Sequence, residues 1–105
     1  MEETAGAVNE ENAGGQFLVR RVVVANQLGL HARPAGALAQ LAQSFTSDIS
    51  LECDGQEVDA KSILDLLTLA AAQGTRLDLK ARGEDAESAL DRIEKLFKER
   101  FGEGK

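Results

Sequence analysis

Apolar and polar positions change period several times along this chain, and each change marks an element. Val22-Val23-Val24 is a β-branched run, the signature of a first strand, and it gives way to the polar, Gly-containing segment Asn26-Gln27-Leu28-Gly29. From Pro34 the spacing turns helical: Leu38, Leu41, Ala42 and Phe45 recur at i, i+3, i+4 and i+7. The fixed φ of Pro34 suits the first turn of that helix. Between Asp48 and Cys53 the period drops to two, with Ile49, Leu51 and Cys53 on one face and Asp48, Ser50 and Glu52 on the other. Asp54-Gly55 is the dipeptide that a type I′ hairpin turn favours, and the return strand is predicted over 56–60 with Val58 and Ala60 inward. Ser62, with Asp65 three residues on, reads as an N-cap in a capping box. The helix it opens is predicted to run over 62–73, with Gly74 as its C′ residue. Residues 75–82 alternate again, Leu77, Leu79 and Ala81 against Arg76, Asp78, Lys80 and Arg82. A last helix follows Gly83 with Ala86, Leu90, Ile93, Phe97 and Phe101 on one stripe. Its first turn is acidic (Asp85, Glu87), and Asp91–Lys95 and Glu94–Lys98 are i, i+4 pairs.

The predicted order is therefore β-α-β-β-α-β-α, an α+β domain. Every strand but the first, whose pattern is ambiguous, has one apolar and one polar face, which suits a two-layer arrangement: a four-stranded, mainly antiparallel sheet covered on one face by three helices and open to water on the other. Residues 1–15 stand apart. They contain Glu2, Glu3, Glu10 and Glu11, end in Gly14-Gly15, and are expected to form a disordered acidic tail ahead of a domain over 16–105.

Composition narrows the function. With 105 residues, 43 % of them hydrophobic, the chain has room for one modest core. A net charge of −6 disfavours nucleic acid, whose phosphates demand a basic face, and gives no support for docking to anionic lipid. No stretch approaches the ~18 consecutive apolar residues of a membrane span, and the start lacks the basic and apolar regions of a secretory signal. Cys53 is alone, so neither a disulfide framework nor a cysteine zinc site is expected. These features place the protein in the cytoplasm, with protein partners or a small molecule as its ligands.

Candidate chemistry converges on the one histidine, in Gly29-Leu30-His31-Ala32-Arg33-Pro34-Ala35. His31 immediately precedes a helix whose start Ala32 and Pro34 define, and such an end attracts anions through its unpaired N–H groups and its dipole. A nearby positive helix end favours neutral imidazole, the nucleophilic form, and Arg33 adds a charged donor for a phosphoryl group. There is no HxxxH, no acidic cluster with metal spacing and no Gly-rich nucleotide loop. No metal or cofactor is expected, and the inventory suits a carrier of a group that another protein installs and a third removes.

The helix after Ser62 is apolar on two arcs: Leu66, Leu69 and Ala70 on one, and Ile63, Leu64 and Leu67 on the other. Either both are buried or the second is presented to a partner. Capping alone accounts for Ser62; a regulatory phosphate there would add charge beside the candidate docking patch.

Residues 28–35 closely resemble the active-site motif of the HPr family, the histidine-containing phosphocarriers of the bacterial phosphoenolpyruvate-dependent phosphotransferase system. The resemblance extends over roughly 18–101, through Ala60-Lys61-Ser62-Ile63, Gln73-Gly74-Thr75 and Gly83-Glu84-Asp85-Ala86. It implies an open-faced β-sandwich acting as a monomeric carrier, not a stand-alone enzyme. Enzyme I would phosphorylate His31 on Nδ1, with Arg33 accommodating the group. Leu30, Ala32, Ile63, Leu64 and Leu67 would dock enzyme I and EIIA-type acceptors, and Ser62 matches a serine modified by a dedicated kinase in some members. Three features depart from sugar-type members: Gln40 and Gln43 where lysines are common, and an acid at Asp65. Leu41-Ala42-Gln43-Ser44-Phe45 looks more like the nitrogen-related paralogue. The competing reading is a regulatory binding module acting through the 62–67 helix.

Overall fold

The computed structural model describes residues 16–105; the expected acidic tail at 1–15 lies outside the described residues. The elements follow in the expected order: β1 (Leu18–Val23), α1 (Ala32–Gln43), β2 (Asp48–Cys53), β3 (Gln56–Asp59), α2 (Ile63–Thr68), β4 (Arg76–Arg82) and α3 (Ala86–Lys98). A 3₁₀ turn, Arg100–Gly102, closes the series. The strands lie in the order β1-β4-β2-β3, and all three pairings are antiparallel.

The period-two pattern explains the layers. In register, Leu79 of β4 faces Leu51 of β2, and Leu51 faces Val58 of β3. Side chains from all three helices, including Leu38, Leu66, Leu90, Ile93 and Phe97, complete one buried cluster on that face. The other face carries ion pairs: Lys80 Nζ lies 2.5 Å from Glu52 and 3.3 Å from Glu57, Arg82 3.0 Å from Asp48, and Arg21 2.9 Å from Asp78. A wet, charged face needs no second helical layer, and the sandwich is open as expected. At the β2–β3 turn Asp54 and Gly55 both have positive φ (51° and 85°), as a type I′ turn requires.

Three local expectations are corrected by contacts distant in sequence. The helix predicted over 62–73 ends at Thr68, and the left-handed residue after it is Ala70 (φ 49°), not Gly74. The chain leaves the helix because Ala71 O accepts the Leu30 N–H (2.8 Å), while Gly74 N–H donates to Val24 O (2.7 Å). Likewise α3 stops at Lys98, and Phe101 joins the core through a kink in which Arg100 and Phe101 both have φ of 56°. Its ring packs edge-on against Phe97, centroids 4.9 Å apart. Of the two i, i+4 pairs, Glu94–Lys98 forms (3.6 Å), but Asp91 is taken by Arg20 of β1 (2.5 Å) and Lys95 turns to Glu99 (3.9 Å).

Asp85 also acts outside its helix. Its carboxylate accepts the backbone N–H groups of Thr46 and Ser47, both at 2.9 Å, and the Ser47 hydroxyl, joining the α1–β2 loop to the start of α3. The Ser47 hydroxyl first, then these backbone donors, hold its pKa down at about 2.

Candidate functional site

The loop between β1 and α1 is folded by polar contacts before His31 is reached. Fully buried Asn26 donates through Nδ2 to Gly29 O (2.7 Å), and Gly29 N–H returns a bond to Asn26 O (3.1 Å). Gly29 has φ of +72°, and a Cβ there would stand 2.5 Å from Ala71 O. This close approach sets the Leu30–Ala71 hydrogen bond and turns Leu30 inward. Leu30, expected on the docking surface, is a core residue with 3 % exposure.

His31 emerges next, in extended backbone (φ −79°, ψ −171°) at the N-cap of α1. Its side chain does not cap the helix, and no acidic residue occupies the first turn. The first intrahelical bond is Ala35 N–H to His31 O (2.9 Å). The backbone N–H groups of Ala32 and Arg33 therefore have no partner within the helix, and Pro34 has none to offer. Ala32 and Arg33 are exposed, Pro34 is buried, and the His31 side chain is 37 % exposed. An anion beside His31 meets free backbone donors and the positive end of α1.

Glu103 closes the other side of the imidazole. Its Oε2 lies 2.8 Å from His31 Nε2, 3.0 Å from Arg33 Nη2 and 3.3 Å from Arg33 Nε, while Oε1 accepts from Asn26 Nδ2 at 2.9 Å. Arg33 Nη2 also donates to Phe101 O (2.8 Å). These donors, Asn26 first and then His31 and Arg33, keep the Glu103 carboxyl below the usual range despite its partial desolvation. An ionised carboxylate can only accept, so the hydrogen between it and His31 belongs to Nε2. In the neutral ring, Nδ1 then holds the lone pair.

The apolar short helix is presented, not buried all round. Leu66 is fully buried, while Ile63, Leu64 and Leu67 are exposed, Leu64 by 76 %. Leu28, absent from the expected patch, is 74 % exposed. Ser62 is the N-cap of α2, its hydroxyl accepting the Asp65 N–H at 3.2 Å. The capping box is only half made: Asp65 Oδ2 accepts from Asp59 N–H (3.4 Å), and Ser62 N–H donates to Asp59 O (3.1 Å). Sequence reasoning missed Asn26 and Glu103. The turn-forming Asn26, three residues before Gly29, carried a usable local signal; Glu103 had none near His31. Among the described residues no cluster of three or more His, Cys, Asp or Glu could hold a metal ion, and no helix is long and apolar enough to cross a membrane.

A lone histidine at an uncapped helix start, with free backbone N–H groups and Arg33 beside it, has the layout of a group carrier. Comparison with known proteins gives that class its family. The PTS-HPr family, described as the PTS HPr component phosphorylation site, matches residues 18–99. Phosphocarrier protein HPr of Cupriavidus necator is 42 % identical over 88 residues, 84 % of this chain and 99 % of that protein. Phosphocarrier protein NPr of Proteus mirabilis is 41 % identical over 85 residues, 80 % of this chain and 94 % of that one. The crystal structure of an HPr from Thermoanaerobacter tengcongensis superposes with a TM-score of 0.81 at 38 % identity, covering 84 % of this chain and 99 % of that chain. The chain belongs to the HPr family. It is a phosphocarrier of the phosphotransferase system, a carrier of phosphoryl groups and not a stand-alone enzyme.

Proposed function

We propose that His31 is the phosphoryl acceptor, charged on Nδ1 by enzyme I from phosphoenolpyruvate and discharged to EIIA-type acceptors in the cytoplasm. The observation that carries this is the placement of a partly exposed His31 at the uncapped N-terminus of α1, whose own first turn carries no acid, with Arg33 beside it. The Nδ1 lone pair attacks phosphorus. The bond from phosphorus to the donor breaks, and its electron pair leaves with the donor. The Ala32 and Arg33 N–H groups and the Arg33 guanidinium then stabilise the dianion on His31. Transfer onward is the same displacement with His31 as leaving group, so the carrier needs no metal or nucleotide of its own.

Docking falls to the exposed apolar residues Ala32, Ile63, Leu64 and Leu67, with Leu28 in place of Leu30. Such a patch supports contact with protein partners through desolvation, with little electrostatic steering from α1, where Arg33 is the one charged residue. The uncharged Gln40 and Gln43 lean the reading toward the nitrogen-related branch. Gln43 is further committed to the fold, donating to Lys61 O at 2.8 Å. The test is a rate comparison: phosphorylation by sugar-type and by nitrogen-type enzyme I, each followed by transfer to its own EIIA. Faster charging and discharge with the nitrogen-type pair supports the branch; a faster sugar-type pair overturns it. If the protein were instead a regulatory module acting through the 62–67 helix, His31→Ala would keep its activity.

A further inference from the structure

The C-terminal segment is built into the histidine site, and nothing in the carrier function described so far uses it. The kink at Arg100 and Phe101 takes the chain off the axis of α3, and buried Phe101 fixes it there against Phe97. Lys105 O accepts the Gln27 N–H at 2.8 Å, tying the far end of the segment to the loop before His31. Between these two anchors Glu103 reaches back to the imidazole. Three N–H donors bond its two oxygens, Asn26 Nδ2, His31 Nε2 and Arg33 Nε, while Arg33 Nη2, which donates to Phe101 O, stands at ion-pair distance (3.0 Å). A carboxylate is the one side-chain group of that shape able to accept from all of them. A glutamine in its place would turn an N–H₂ group onto another donor.

We propose that Glu103 is the positioning residue of the carrier site, holding the hydrogen of His31 on Nε2 so that Nδ1 is the nitrogen that takes and gives up the phosphoryl group. The inference rests on the phosphocarrier reading and adds a residue to it. In the uncharged carrier the Nε2–H···Oε2 bond fixes both ring orientation and tautomer, as partners of a second ring nitrogen do elsewhere. When Nδ1 attacks phosphorus, the N–P bond forms, the donor leaves with its electron pair, and the Nε2 hydrogen stays in place. On discharge the N–P electron pair returns to Nδ1, again without moving the Nε2 hydrogen. Glu103 never touches phosphorus. It also occupies Arg33 from behind, which holds the guanidinium at the mouth of the site.

Two readouts test this on the full chain. Proton–nitrogen multiple-bond NMR of the uncharged protein at neutral pH identifies the protonated ring nitrogen without any phosphoryl donor. The expected result is hydrogen on Nε2, protected from exchange with water, and an unprotonated Nδ1. In Glu103→Ala the protected Nε2–H signal is lost, and charging by enzyme I slows by about tenfold, the low end of the losses seen when the hydrogen-bond partner of a metal-ligating histidine is removed. Glu103→Gln keeps the volume but not the second acceptor, and the same losses are expected there; a packing role would survive this change. A parent protein with hydrogen on Nδ1, or a Gln variant that keeps both the protected Nε2–H and the parent's charging rate, overturns the proposal. The NMR result stands on protein that accepts no phosphate, so failure of the carrier reading shows separately, as absence of charging in the parent.

Discussion

Replacing Gly29 by alanine puts a methyl group into a contact already closed by backbone. Its φ of +72° is the left-handed region, which costs an alanine roughly 1–2 kcal/mol. The new Cβ would stand 2.5 Å from Ala71 O and 3.0 Å from Ala72 Cα, where 3.4 Å is the start of ordinary contact. Neither neighbour is a side chain that can rotate away, so the loop itself must move. That movement opens the Leu30 N–H···O=C Ala71 bond (2.8 Å) in a buried place, a loss of about 1–3 kcal/mol. Reduced freedom of the unfolded chain returns ~0.4–1 kcal/mol. The balance is a destabilisation of about 2–4 kcal/mol, or a fall in Tm of roughly 10–25 °C for a domain of this size. Urea unfolding followed by circular dichroism should show it as a lower midpoint with unchanged slope. Gly36→Ala is the internal control: it lies within α1 with nothing within 4 Å of the new Cβ, and should gain about 0.5–1 kcal/mol. A Gly29→Ala protein within ~0.5 kcal/mol of the parent would refute this account of how the loop is set.

Leu66→Ala, at a fully buried position, should cost about 2–5 kcal/mol in the same melts. Leu64→Ala, at an exposed one, should stay within about 0.5 kcal/mol of the parent yet weaken enzyme I binding measured by calorimetry. Asp85, held at about 2, contributes stability that is complete above the ordinary carboxylate pKa and is lost as pH falls through about 2. Thermal melts between pH 5 and pH 2 should therefore fall steeply in the parent, and less steeply in Asp85→Asn, which starts from a lower Tm at neutral pH. Ser62→Asp should lower enzyme I affinity without unfolding the domain; unaltered affinity would count against Ser62 as a regulatory phosphosite.

The alternation around Leu51 and Leu79 was legible because it is the sheet's cross-section written along the chain; β1 had no such pattern, since its Leu18, Val19 and Val23 are apolar yet exposed. Asp54-Gly55 announced its turn for an equally local reason. Helix ends were not local. Leu69, Ala70 and Ala71 continue a helical spacing, but the loop before His31 needs Ala71 O, and the tertiary hydrogen bond wins. Phe101 kept its place in the core although the helix beneath it stopped, because apolar burial depends on position in space and not on the element that delivers it. His31, Arg33 and Pro34 could be read together because they sit within one turn of each other. Glu103 could not, since 72 residues separate it from His31 and 77 from Asn26. Leu30 was misplaced for the converse reason: adjacency to His31 suggested surface, while pairing with Ala71 turned it inward.

Phosphorylation of His31 is the claim on which the rest depends, and intact-mass spectrometry at mildly alkaline pH tests it most directly. The protein would be incubated with enzyme I, phosphoenolpyruvate and Mg²⁺, with His31→Ala beside it and both types of enzyme I tried. The account predicts one added phosphate on the parent, labile to acid and stable to base, and none on the variant. No phosphate on a folded parent from either donor, or an equal phosphate on His31→Ala, would contradict it.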